Sequence, residues 1–283
     1  SCVSCESRKR PDPDAGASPV KRGRPRTDRR ILEASRRAGG TIAIALALTG
    51  GLLLGPGHRA IAEGEAGEPD EASGPAPARI AALVYGRAGE GEGEGEGEGG
   101  RFDSSRCFNT AFLGEVANRS TIRVAEALKP VSIRDDALFE YPIAILAGER
   151  EFDFEEGEAE RLAAYLRRGG FLMGSANCTA ARFDRSFRKL IAASLPDAEF
   201  KPIANDHALM TTLFEVDEPR IGKSSDTPPL LGITIKGRLA VLYSPFGLND
   251  SYGMKAECCC CGASELLNAR QVNANAVVYA VTR

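Results

Sequence analysis

Three short apolar runs, each closed by glycine, constrain this chain more than anything else in it. Ile80-Ala-Ala-Leu-Val-Tyr85 ends in Gly86, Tyr141-Pro-Ile-Ala-Ile-Leu-Ala ends in Gly148, and Phe171-Leu-Met runs into Gly174-Ser175. A strand with one wet face alternates apolar and polar residues. These runs do not, so each reads as a strand covered on both sides. Amphipathic segments separate them. In residues 155–168 acids lead, Leu162, Ala163 and Leu166 form an inner stripe, and Arg167-Arg168-Gly169-Gly170 supplies the basic last turn and glycine stop. Residues 182–195 and 265–281 read as further helices, and Ser104 stands as an N-cap before a helix reaching Val116. Leu231 to Tyr243 reads as a hairpin. Strands alternating with helices predict an α/β fold with a mostly parallel sheet, right-handed crossovers and an antiparallel edge hairpin.

Charge divides the chain. Residues 1–62 hold 12 Lys or Arg against 5 Asp or Glu, a balance of +7, and the remainder carries −10. The basic part contains Pro11, Pro13, Pro19 and Pro25 and runs into an apolar stretch of 14 residues, 41–54. That is short of the roughly 20 needed to cross a bilayer. Ala60-Ile61-Ala62 has the small-x-small form of a signal-peptidase site. Residues 1–62 are therefore expected to be a basic n-region and signal peptide, cleaved before Glu63, giving a periplasmic or secreted product. Retention as an anchor over residues 38–57 is the rival, and this segment is the only expected membrane contact. The pairs Arg29-Arg30 and Arg36-Arg37 leave the twin-arginine route open beside the ordinary one. Residues 63–78, made of Glu, Gly, Pro, Ala, Asp and Ser, read as a flexible linker, 79–283 as the folded domain, and the Glu-Gly alternation within 89–100 as a low-complexity loop. A net charge of −3, no Trp and 6% aromatic residues argue against a nucleic-acid partner.

Cysteines supply the sharpest functional signal. Beyond the N-terminal segment they are Cys107, Cys178 and the run Cys258, Cys259, Cys260 and Cys261. In an open α/β sheet the binding crevice lies at the carboxyl ends of the strands, and all three places are expected there. Adjacent α-carbons sit about 3.8 Å apart, inside the roughly 4.4 Å lower limit of disulfide geometry, so the run must pair outward. Disulfides suit an exported protein. Behind the disulfide reading stands a soft ligand set for zinc or an iron-sulfur cluster, drawn from the same six thiols and His207. Cys107, Asn177, Cys178, His207 and Asn249 form the candidate ligand-binding set. Cys178 and His207 are the candidate catalytic pair. Asp184 and Arg188, four apart, read as a helix-surface ion pair or an anion-binding arginine, and the amides Asn268, Gln271, Asn273 and Asn275 as buried packing on the last helix.

Tyr141-Pro142 through Gly148, the acid-rich helix ending in Leu166-Arg-Arg-Gly-Gly-Phe-Leu172, and Asp184-Arg-Ser-Phe-Arg188 resemble a bacterial domain-of-unknown-function family in the class I glutamine-amidotransferase-like superfamily. Asn205-Asp-His207-Ala-Leu209 with Phe214-Glu-Val-Asp-Glu218 is similar to the His-containing segment of the related ThuA-like proteins. The resemblance implies a flavodoxin-like three-layer sandwich and no particular activity. A glutaminase of that superfamily has Gly-x-Cys-x-Gly after a strand and a His and Glu two apart, because an exposed thiolate needs an activating base. Here Cys178 lies in Gly174-Ser-Ala-Asn-Cys-Thr-Ala180, and Leu209 stands two after His207, so the triad is absent. The expectation is a non-catalytic module for a small polar or carbohydrate-like ligand or an envelope protein partner. The alternative is a metal- or thiol-dependent hydrolase using the Cys/His cluster.

Overall fold

The computed structural model describes residues 76–88, 100–106, 108–221, 229–250 and 266–283. The expected signal segment, the Glu-Gly repeat, Cys107 and the run from Cys258 to Cys261 lie outside the described residues. In chain order, β1 (Ile80–Tyr85) is followed by the short strands β2 (Arg87–Ala88) and β3 (Phe102–Asp103) and by α1 (Ala111–Arg119). Then come β4 (Lys129–Ser132), β5 (Ile143–Gly148), β6 (Phe152–Asp153) and α2 (Glu158–Arg167). β7 (Phe171–Ala176) precedes α3 (Ala181–Ser194), and β8 (Lys201–Pro202), β9 (Leu231–Ile235) and β10 (Arg238–Ser244) precede α4 (Ala269–Thr282).

The main sheet has the order β4-β1-β5-β7-β10-β9-β8, with β3 antiparallel to the tip of β1. From β4 to β10 every pairing is parallel, and β9 and β8 extend the sheet antiparallel. β2 and β6 form a separate two-stranded ribbon. The expected mixed α/β fold with a mostly parallel sheet and antiparallel edge is therefore what the chain adopts, consistent with a flavodoxin-like sandwich.

Strand alternation explains the two helical layers. Ile143, Ile145 and Ala147 of β5 join Phe171 and Met173 of β7 in a core shared with α1 and α4. Ala144, Leu146 and Leu172 face the other way, onto Leu162 and Leu166 of α2 and Phe183, Phe187 and Leu190 of α3. β10 breaks the alternation. Its register against β9 shifts between Leu239 and Val241, so Ala240 and Val241 both join the α2/α3 face while Leu239 and Leu242 join the other. The β9–β10 turn has φ of 51° at Lys236 and 81° at Gly237, the paired left-handed residues of a tight hairpin.

α4 is buried at every residue from Val272 to Tyr279, because the sheet, α1 and the segment before β9 enclose it. A helix hidden all round must pack its polar side chains as carefully as its apolar ones.

Three sequence expectations shift. Ser104 does not cap a helix: β3 and a turn occupy residues 102–106, Ser104 Oγ accepts from the Ala147 amide at 3.0 Å, and α1 starts at Ala111. α2 starts at Glu158, not Glu155, because Phe152–Asp153 pairs with β2 first. β4 and β8 do not stand out in the sequence because each contains a proline, at Pro130 and Pro202, which lacks the ladder donor. Both are edge strands, and both carry the dipeptide Lys-Pro.

Close packing on β7 makes one position intolerant. A Cβ at Gly174 would collide with the Phe187 ring and lie 2.8 Å from Tyr243 Cδ2. Gly174→Ala is expected to lower unfolding free energy by about 1–3 kcal/mol through overpacking, read as a reduced urea midpoint with unchanged slope.

Candidate functional site

At the carboxyl ends of β7 and β10 a chain of hydrogen bonds joins four parts of the fold. Ser175, in the last turn of an otherwise apolar strand, accepts from the Leu248 amide at 2.8 Å and donates to Asn177 Oδ1 at 2.8 Å. The Leu248 carbonyl accepts from Asn273 Nδ2 of α4 at 2.7 Å. Next along, Asn249 Oδ1 accepts from the Asn109 amide at 2.8 Å, and Asn109 Nδ2 donates to the Asp250 carbonyl at 2.8 Å. Asn109 Oδ1 also accepts from the Ala111 amide at 2.9 Å and so starts α1. Asp250 Oδ2 accepts from Arg270 Nε at 2.6 Å. Asn249 and Asn273 are wholly buried and Asn177 is 5% exposed. Asn273 Oδ1 is buried with no hydrogen-bond partner among the described residues.

The turn that follows β7 is the least relaxed backbone in this region. Cys178 has φ 53° and ψ 29°, and Thr179 has φ 55°. Consecutive non-glycine residues in the left-handed region are costly, the more so when the second is β-branched. Such outliers cluster at sites where geometry is held for a purpose. Cys178 is half-buried and Thr179 exposed, so this turn meets solvent.

Of the sequence-predicted residues, Asn177, Cys178 and Asn249 lie together at this edge. His207 does not. Its ring stacks 5.5 Å from Tyr279, which also lies 6.1 Å from Phe171 and accepts from the Leu239 amide at 3.3 Å. Phe171 and Leu239 begin their strands, so His207 belongs to the amino edge. The six residues of β7 put roughly 17 Å between the two edges, and the expected Cys178–His207 pairing is not made. His207 Nδ1 instead accepts from the Leu209 amide at 3.1 Å, capping the short helical turn Ala208–Met210. Its ring is thereby fixed as the tautomer protonated at Nε2. Cys107 and the Cys258 to Cys261 run lie outside the described residues. Asn109, two positions past Cys107, sits in the network, and Asp250 is the last described residue before that run. Among the described residues no three His, Cys, Asp or Glu side chains come together as a metal site, and no helix is long and apolar enough to cross a membrane.

The α4 amides hold loops. Asn275 Oδ1 accepts from the Leu213 and Phe214 amides at 3.0 and 2.7 Å, and its Nδ2 donates to the Phe214 carbonyl at 2.9 Å. Asn268 does the same for the Arg220 amide and Glu218 carbonyl, at 3.2 and 2.7 Å. Asp184 and Arg188 form the expected i,i+4 ion pair at 2.9 Å. Asp184 Oδ1 also accepts from Tyr243 Oη at 2.6 Å, a bond that the sequence spacing does not reveal.

A second charged group was invisible in the sequence. Glu155 is held by Arg134 at 2.8 Å, Arg87 at 2.5 Å and Arg101 at 3.5 Å. The Arg134 hydrogen bond above all, with Arg87 and Arg101, keeps its carboxyl below the usual range despite burial. Burial pushes Glu158 the other way, against the Glu155 amide, Arg101 and the Gly86 amide. A recess of about 360 Å³ lies elsewhere, along α2, where Phe139 meets Arg161 and Arg168. None of the sequence-predicted site residues lines it.

Fold and site together define an α/β domain with a parallel sheet and a polar carboxyl edge. Residues 79–281 match a family described as a domain of unknown function, DUF4159. The chain belongs to that family. No curated protein matches the chain.

Two outcomes follow from the side chains just described. Asn275→Ala leaves two part-buried amides and a carbonyl without their side-chain partner, and should cost about 1–3 kcal/mol in chemical denaturation. Burial, against the Asp206 charge, holds His207 below its ordinary value of 6.5. A depressed folded value means that its contribution to stability is full above the unfolded value and is lost as pH falls through the folded one. Proton NMR of the ring, assigned by His207→Ala against the only other histidine, His58, should show a midpoint below 6.5.

Proposed function

We propose that the chain is an exported binding module of the glutamine-amidotransferase-like superfamily that takes a small, polar, carbohydrate-like ligand, or an envelope protein, at the carboxyl ends of β7 and β10. The observation that carries this reading is the left-handed turn at Cys178 and Thr179, set on the buried, uncharged part of the network formed by Ser175, Asn177, Asn249 and Asn273. Neutral donors and acceptors recognise hydroxyl-rich ligands without the desolvation penalty that a buried charge imposes. Asn177 and Asn249 position the rim, and Cys178 presents the contact surface. The family description names no activity, so the reading stands on this chemistry and on the position of the site in the sheet. Export rests on the basic segment, the apolar run and Ala60-Ile61-Ala62.

The hydrolase alternative would use Cys178 without His207, which packs on Tyr279. What favours it still is the half-buried thiol of Cys178 at a strand end, with zinc or an iron-sulfur cluster on the remaining cysteines as its metal form.

Calorimetric titration of the purified chain with neutral mono- and disaccharides tests the ligand reading. At least one should give saturable heat that Cys178→Tyr, which adds bulk at the rim and leaves the buried amides intact, weakens tenfold or more. No saturable binding by any of them refutes the small-ligand reading. Ester or amide turnover lost in Cys178→Ser would establish the alternative.

A further inference from the structure

Glu158 is wholly buried and is bound like a ligand. The Gly86 amide donates to Oε1 and Oε2 at 3.2 and 3.1 Å, the Glu155 amide donates to Oε2 at 2.9 Å, and Arg101 Nη2 donates to Oε1. These donors come from three separate stretches: the turn after β1, the approach to β3, and the approach to α2. The turn is shaped for close approach. Gly86 has φ +50°, and a Cβ there would lie 2.8 Å from both the Asp153 carbonyl oxygen and Phe152 Cδ2. Beyond this first ring of donors, Glu155 is already matched by Arg134 and Arg87. Three guanidinium groups thus surround two carboxylates, and Arg101 depends on Glu158 for its closest counter-charge.

The position matters as much as the contacts. From β1 the chain moves outward to β4 and then returns across β1 to β5, so its direction of travel reverses between β1 and β5. Crevices at such reversal points are where open α/β sheets bind anionic ligands. Here the β1 side of that point is occupied from within, by the Glu158 carboxylate on the Gly86 amide.

We propose that Gly86, Glu155 and Arg101 form a carboxylate-binding site whose resident occupant is the chain's own Glu158. The self-occupied site seals the crevice at β1 and β5 and accepts small monocarboxylates, such as formate or acetate, when the side chain is cut back. This inference does not depend on the ligand reading at β7 and β10.

Thermal unfolding of the full chain tests it. Glu158→Ala should lower Tm by roughly 10 °C, since it takes from the largely buried Arg101 guanidinium its closest counter-charge. Formate should restore at least half of that loss in a saturable way that chloride at equal ionic strength does not. Glu158→Gln fills the space without the charge. It should also lose stability but regain nothing from formate, and the unsubstituted chain should respond to neither salt beyond the chloride control. A Glu158→Ala chain that gains no more from formate than from chloride overturns the proposal, as does a Glu158→Gln chain as stable as the parent. If Glu158→Ala fails to fold in chloride, recovery of its circular dichroism in formate supports the site. Failure to recover while Glu158→Gln folds refutes it.

Discussion

The described domain is arranged around strands that have no wet face. β5 and β7 lie in the middle of the sheet with buried residues on both sides, so neither can exist until helices cover both. α2 and α3 pack on one face, α1 and α4 on the other, and the crossovers between parallel strands deliver them there. The same demand confines polar chemistry to the rim. A functional group on β5 or β7 can meet solvent only where the strand ends, and Ser175, Asn177 and Cys178 are found there.

The helix α4 shows what full enclosure costs and how it is offset. Eight consecutive buried residues include Asn273 and Asn275, which would be destabilising if left unpaired. Instead Asn275, together with Asn268, ties down the segment that covers the helix, and Asn273 reaches the strand-end loop. One helix therefore sets both the cover of one face and the position of the polar rim. Displacing it would move Leu248 and, through Ser175, the turn at Cys178.

Much of the architecture was legible because buried strands announce themselves as unbroken apolar runs. The runs 80–85, 141–148 and 171–175 mark β1, β5 and β7, and the hairpin read from Leu231 to Tyr243 is β9 and β10. β4 and β8 were not legible, because proline argues against a strand unless one already knows that it lies at an edge. The rim was half legible. Asn177, Cys178 and Asn249 follow from the rule that strand ends carry sites. Asn109 and Ser175 join them through contacts that cross 140 and 73 positions, distances at which sequence spacing carries no signal. His207 lies apart for the same reason: the Asn205 to Leu209 segment marks it as a candidate, whereas a contact with Tyr279 fixes its place. Arg101 lies 57 positions from Glu158, and only the topology makes them a pair.

The two Lys-Pro dipeptides at the margins of the sheet have a consequence for how the domain meets other molecules. A proline offers no N–H to an incoming strand, and a lysine beside it resists burial against one. Since the margins at Pro130 and Pro202 are both blunted in this way, neither of these two edges invites a further strand. Contacts made by side chains, at the loops or on the helices, can change by substitution without disturbing the sheet.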